Sequence, residues 1–348
     1  MRMKDKMANM NIKTKNRWTI FIIFLIGVIL LVSTYAWLST SLNVMIKEFN
    51  MVVSKNSGLT ISFDGIDFSS SVEISKELLI DDLKKTYPNN LSQWASNGLI
   101  PVSSPGIPNS NASQFDIYAS GGVHYKNKKK ENGFITTSKV IENSIRSFNS
   151  YLAFDIFLKN DSGSPIDDNL FLDYSSSITL DSKSTEQIEG LVNSMRVGFV
   201  KIGSVPHNAS VNEIQNVSCN NNCEMVIYEP NSTKHTETSI KKASEYNVEL
   251  INGEYYPTFS CIKEGGPVYV KDSVSGSPNL DLNYYGLQNT ITEYDFSKPL
   301  FKIPNAITKL RIYVWIEGQD IDSLETDSEG ADISISIDLR KDTSGYTE

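Results

Sequence analysis

The chain changes its hydrophobic rhythm once. Trp18 to Leu38 is an unbroken apolar run of 21 residues without a charge. At about 1.5 Å per residue, a helix of that length crosses a hydrocarbon core of about 30 Å. Such a run lacks the polar stripe that a globular surface helix carries. Beyond it, apolar residues recur mostly with a period of two. Phe49, Met51 and Val53 form one such set, and Leu59, Ile61 and Phe63 form another, closed by the turn Asp64-Gly65. Phe148, Leu152, Phe154, Ile156 and Leu158 share one face, with Asn149 and Asp155 on the other. That is the pattern of a half-buried strand. The stretch from Lys159 to Pro165 is a turn.

Shorter strands are predicted near Phe115–Ala119, Leu170–Tyr174, Arg196–Ile202, Met225–Tyr228 and Pro267–Val270. Two helices interrupt them. Ser70 and Glu73 have capping-box spacing ahead of Leu79, Leu83 and Tyr87, which fall on one helical face before Pro88. Ile188 to Val192 predicts a brief second helix. The C-terminal pattern is the clearest. Leu310, Ile312, Val314 and Ile316 alternate with Arg311, Tyr313, Trp315 and Glu317. Ile333, Ile335, Ile337 and Leu339 alternate with polar residues, and an acidic loop, Gly318 to Ala331, joins the two. Many alternating strands with Gly, Pro and Asn turns predict an all-β fold, an antiparallel β-sandwich.

Charge gives the apolar run a direction. Residues 1–17 carry six cations, among them Lys13, Lys15 and Arg17, against the single anion Asp5, although the whole chain has a net charge of −9. The positive-inside rule keeps this basic head in the cytoplasm and sends residues 39–348 outside. The expected organisation is a head (1–17), a transmembrane or signal-anchor helix (18–38) and an extracellular β-rich domain (39–348), with room for two sub-domains. If the helix is instead a signal peptide, Thr34-Tyr35-Ala36 offers a cleavage site and the protein is secreted. The lipid bilayer is therefore an expected partner. Nucleic acid is not, because the exterior part is acidic and phosphates need basic surfaces. Lys126, Lys128, Lys129 and Lys130 read as a solvated loop tip.

Candidate chemistry is sparse. The three histidines, His124, His207 and His235, are far apart, and HExxH, GxSxG, P-loop and GxGxxG spacings do not occur. No catalytic residue or cofactor is expected. The carboxylates Glu317, Asp320, Asp322 and Asp327 sit at a strand-to-loop corner. They make either a solvated acidic loop or a source of oxygens for calcium, although their spacing is not that of an EF-hand. Ile227 to His235 closes a strand and opens a loop, where a lone histidine reads as exposed or satisfied. Cys219, Cys223 and Cys261 are disulfide candidates outside the cytoplasm, and their odd number leaves one free or paired between chains. One CxxxC and a distant His207 do not make a zinc site.

A basic head, an apolar helix ending in Thr34-Tyr35-Ala36-Trp37-Leu38-Ser39, and the strand-corner phrase Val314 to Asp320 resemble N-terminally anchored or secreted surface proteins of Gram-positive bacteria. The camelysin and TasA-like proteins are the named family they are similar to. That resemblance implies a jelly-roll sandwich and a structural role, with self-association or an extracellular polymer or protein as partner. The expected function is a cell-surface structural or adhesive protein that is not an enzyme. A surface carbohydrate-binding module or hydrolase is the alternative, with Tyr255-Tyr256 and Tyr284-Tyr285 as candidate sugar-stacking residues.

Overall fold

The period-two segments form the strands they predict, and tertiary pairing adds others. The computed structural model describes residues 45–54, 58–95, 98–104, 117–125, 133–140, 149–180, 186–219, 223–245, 267–268, 290–318, 320, 322–323 and 332–342. The chain divides into two units, Met1–Ser41 and Leu42–Glu348, and all described residues belong to the second. The run 18–38 lies outside them, and no described helix is long and apolar enough to cross a membrane. Lys126 to Lys130, Tyr255-Tyr256, Cys261, Tyr284-Tyr285 and Asp327 also lie outside the described residues, as does the side chain of His124.

Strands β1 (Met45–Val53), β2 (Leu59–Ser62) and β3 (Ser71–Ile74) come first. A π-helical turn, Leu78–Asp82, runs into α1 (Leu83–Thr86). Next are β4 (Tyr118–Tyr125), β5 (Gly133–Lys139), β6 (Tyr151–Asn160), β7 (Asp168–Leu172) and β8 (Ser177–Leu180). Helix α2 (Glu186–Asn193) leads into β9 (Met195–Val205), and α3 (Val211–Gln215) leads into β10 (Glu224–Glu229). Helix α4 (Glu237–Glu245) and the short β11 (Pro267–Val268), β12 (Thr290–Thr292) and β13 (Phe301–Ile303) precede two long strands. These are β14 (Ile307–Ile316) and β15 (Asp332–Asp342).

Two sheets have six strands each. The first runs β13-β7-β15-β1-β3, with β8 also paired to β15, and the second runs β12-β10-β9-β14-β6-β2. A third runs β11-β5-β4. The expectation of purely antiparallel sheets is corrected here. β1 pairs parallel with β15, and β10 pairs parallel with β12. Alternation has the same period in either orientation, so the pattern cannot tell them apart. Both parallel pairs join strands far apart in sequence, as the long crossover between parallel strands requires.

The first two sheets share one hydrophobic cluster. Phe49, Met51, Ile335 and Ile337 from one meet Phe154, Ile156, Ile312 and Val314 from the other. Phe49 and Phe154 meet edge to face, with ring centroids 5.0 Å apart. Each such side chain wholly removed from water contributes about 1.5–3 kcal/mol. β14 and β15 therefore belong to different sheets, and the acidic segment between them carries the chain from one to the other.

Two further expectations are corrected. β6 and β14 are not half-buried, because every residue of β14 is buried and only Lys159 of β6 is partly open. A second apolar cluster covers their other face, built from Val102, Ile117, Val140, Tyr151, Tyr313 and Trp315 among others. Main-chain pairing of Gln93 with Ala153 and of Val102 with Glu317 lays Gln93 and Val102 against this sheet. The Ser70/Glu73 capping box does not form. Glu73 is drawn into β3 by pairing with Asn50, and Ser75 instead accepts a hydrogen bond from the Leu78 backbone N–H. Leu79, Leu83 and Tyr87 are buried as their spacing predicts.

Candidate functional site

Every residue of β14 is buried, and Lys309, Arg311, Tyr313 and Trp315 alternate along it as one buried row. Polar groups gather at both ends of that row.

At the Trp315 end, strand register places Arg196 of β9 opposite Trp315. The Arg196 Nη2 donates to Glu229 Oε1 at 2.7 Å and to Asp320 Oδ2 at 2.8 Å. Its Nη1 donates to the carbonyls of Asn193 and Met195, each at 2.9 Å. The Trp315 Nε1 donates to Glu317 Oε2 at 3.1 Å. One residue further into the corner, the Asp322 backbone N–H donates to Asp320 Oδ1. Asp322 in turn accepts from the Thr236 N–H at Oδ1 and lies 2.9 Å from His235 Nδ1 at Oδ2. A carboxylate can only accept, so Nδ1 carries the proton. His235 Nε2 and Arg196 Nε are buried and have no hydrogen-bond partner among the described residues.

Four carboxylates, Glu229, Glu317, Asp320 and Asp322, thus share a buried corner with one guanidinium and one imidazole. Burial pushes the Asp320 carboxyl up to about 6; Arg196 opposes this, while Asp322 and Glu229 add to it. Burial works against a charged His235 ring. The Asp322 hydrogen bond and the charges of Asp320, Asp322 and Glu229 outweigh it, so its pKa lies above 6.5. The corner is built to hold protons.

The two segments singled out separately in the sequence, Ile227–His235 and Trp315–Asp322, therefore meet here. They do so buried rather than in a solvated loop. His235, Asp320 and Asp322 offer atoms within 4.8 Å of one another, a spacing a metal ion could bridge. Calcium is a poor match to this donor set. Both oxygens of Asp320 and of Asp322 already accept hydrogen bonds, one of them from a guanidinium, and calcium takes six to eight oxygens. Glu317 faces Trp315. Arg196 escaped the sequence reading as a site residue; its only signal was a cation opening the predicted strand Arg196–Ile202.

At the other end of the row, Asp155 of β6 faces Arg311 of β14 in register. The Arg311 Nη1 donates to Asp155 Oδ1 at 2.9 Å, and Lys309 Nζ lies 3.1 Å from Asp155 Oδ2. Tyr87 Oη donates towards Asp155 and accepts from Lys309. Lys309 also donates to the Gln215 carbonyl, and the Gln215 amide reaches the carbonyls of Asp64 and Thr86. Burial raises the Asp155 carboxyl, but the charges of Arg311 and Lys309 outweigh this and hold it below 3.8. Burial pushes the Tyr87 phenol well above 10.

These groups floor a cavity of about 170 Å³. Leu91, Ile202 and Val217 wall it, and Asn89 and Asn216 add amides. Nearby, Cys219 and Cys223 form a disulfide, with Cα atoms 5.6 Å apart.

No family model, characterised protein or solved structure matches the chain.

Proposed function

We propose that this chain is a cell-surface structural or adhesive protein. Its N-terminal helix holds it in the membrane, and residues 39–348 stand outside as a jelly-roll-like β-sandwich similar to that of the camelysin and TasA-like proteins. The 21-residue apolar run behind a basic head supports the anchoring. Two six-stranded sheets around one core support the sandwich.

The observation that carries the structural role is how buried charge is used. Arg196 ties β9 to β10 and to Asp320, while Asp155 ties β6 to β14 and to Tyr87 beyond α1. Charge spent on cross-strand clamps favours a rigid displayed body. The described outer strands β2, β3, β12 and β13 have three or four residues each. Edges that short blunt strand addition, so side-chain surfaces make the contact with a partner.

The test is to display the full-length chain on a Gram-positive host and measure cell–cell clumping and retention on extracellular polymer. The expected result is clumping or retention above that of empty cells. Cells indistinguishable from the control on both measures refute the reading.

One observation favours a second reading, a surface carbohydrate-binding module: the cavity over Asp155. Among its described lining residues Asp155 is the only carboxylate, and two cations hold it. Two-carboxylate glycoside hydrolysis needs a second acid there, so binding suits this cavity better than cleavage.

A further inference from the structure

We infer that the chain cross-links itself: the Lys341 amine attacks the side-chain amide of Asn160 and forms an isopeptide bond, the amide nitrogen leaving as ammonium. The inference concerns only the folded unit and is independent of the anchoring, adhesive and sugar-binding readings.

Three polar side chains from both large sheets meet here. Asn160 ends β6 in the second sheet, while Asp168 opens β7 and Lys341 lies on β15, both in the first. Lys341 Nζ donates to Asn160 Oδ1 at 2.9 Å and lies 3.4 Å from Asp168 Oδ2. Asn160 Nδ2 donates to the same Asp168 oxygen at 2.9 Å and to the Pro304 carbonyl at 3.0 Å. Those two partners can only accept, so the amide has one orientation, with its carbonyl oxygen towards the lysine. Asn160 is fully buried, and the Lys341 side chain is 2% exposed. The Gly58 backbone closes over the amine, since a Cβ there would already meet Nζ at 3.7 Å.

That arrangement suits a reaction as well as an ion pair. Cγ of Asn160 lies one carbonyl bond, about 1.23 Å, beyond Oδ1, so Nζ at 2.9 Å from that oxygen is at most about 4.1 Å from the carbon it attacks. Reacting atoms in a near-attack arrangement are about 3–3.5 Å apart, and holding them together removes most of the entropic cost of meeting. Burial keeps competing water away. Asp168 takes a proton from the Lys341 ammonium, and the freed lone pair forms the Nζ–Cγ bond. The carbonyl electron pair moves to Oδ1 and returns as the Cγ–Nδ2 bond breaks. Asp168 hands its proton to the departing Nδ2, and the second proton shed by Nζ follows the same route. Asp168 ends as it began, and no oxidant or co-reactant is consumed. The product ties one sheet to the other through residues 181 apart in the chain.

Tryptic digestion of the full-length chain, followed by tandem mass spectrometry, tests this. The expected finding is a branched peptide that joins Asn160 to Lys341 and is lighter than its two parts by one ammonia, about 17 Da. Lys341→Arg keeps the positive charge without the attacking amine. Asp168→Asn keeps the side-chain shape without the proton acceptor. The branched peptide is expected to be lost in both. The wild-type digest decides the proposal whether or not a variant folds. Two results overturn it: a wild-type digest in which the two peptides stay separate, which leaves Lys341 in an ion pair only, or a branched peptide that persists in Asp168→Asn.

Discussion

Replacing Arg196 with methionine keeps an unbranched apolar stem and removes the guanidinium with its charge. In the folded protein that charge lies between Glu229 Oε1 at 2.7 Å and Asp320 Oδ2 at 2.8 Å, with Arg196 itself fully buried. The variant strands two carboxylates in a corner that already holds Asp322 and Glu317. Removing one partner of a buried pair costs about 3–5 kcal/mol, because the remaining charge is uncompensated. Part of that cost can be relieved by protons. Asp320 already titrates near 6, and without Arg196 it takes up a proton at higher pH still. The deficit should therefore shrink as the medium is acidified. Denaturant unfolding of the full-length chain in detergent, wild type against Arg196→Met, measures it at pH 7.5 and pH 5. The expected deficit is about 3–5 kcal/mol at pH 7.5 and at least about 1 kcal/mol smaller at pH 5. A deficit under about 1 kcal/mol at pH 7.5, or one that does not change with pH, refutes the idea that Arg196 neutralises this corner.

Other perturbations follow from the same contacts. Both His235 and Asp320 have raised folded pKa values, so each stabilises the fold when protonated and loses that contribution as pH rises. The unfolding midpoint should fall from about pH 4 to pH 6 through Asp320 and again above 6.5 through His235, and His235→Gln should flatten only the upper part. Asp155→Asn leaves Lys309 and Arg311 facing each other without their carboxylate and should cost about 3 kcal/mol or more by chemical denaturation. Tyr87→Phe, which removes one hydroxyl from the same network, should cost about 1–2 kcal/mol. Gly65 has φ +77°, and a Cβ there would sit 2.8 Å from Ile214 Cγ2, so Gly65→Ala should lower the unfolding midpoint by about 1–3 kcal/mol in equivalent stability.

Several elements were legible because local chemistry alone determines them. The β1, β6, β14 and β15 alternations, the Asp64-Gly65 turn and the Leu79–Leu83–Tyr87 face need no knowledge of distant partners. What was illegible depends on partners far away in sequence. The parallel neighbours of β1 and β10 are set by tertiary pairing, which the period of two cannot encode. Tyr313 and Trp315 looked like one half of an amphipathic strand. Both are buried because Val102, Ile117 and Val140 return to cover that face. The Ser210/Glu213 capping box of α3 forms, whereas in the Ser70/Glu73 pair of equal spacing Glu73 lies in β3. A cap motif is thus overridden when strand pairing offers its backbone better partners. The acidic corner was visible as residues but not as a site. Asp320 and Asp322 gain meaning only from Arg196 and His235, more than 80 residues away.

Side-chain labelling of intact cells tests the surface display most directly. A membrane-impermeant amine reagent reaches lysines outside the cell and spares those inside until lysis. The expected pattern is labelling of exposed lysines beyond residue 39, such as Lys85 and Lys298, on intact cells, with Lys4, Lys6, Lys13 and Lys15 reacting only after lysis. Labelling of the head on intact cells, or of Lys85 and Lys298 only after lysis, contradicts it.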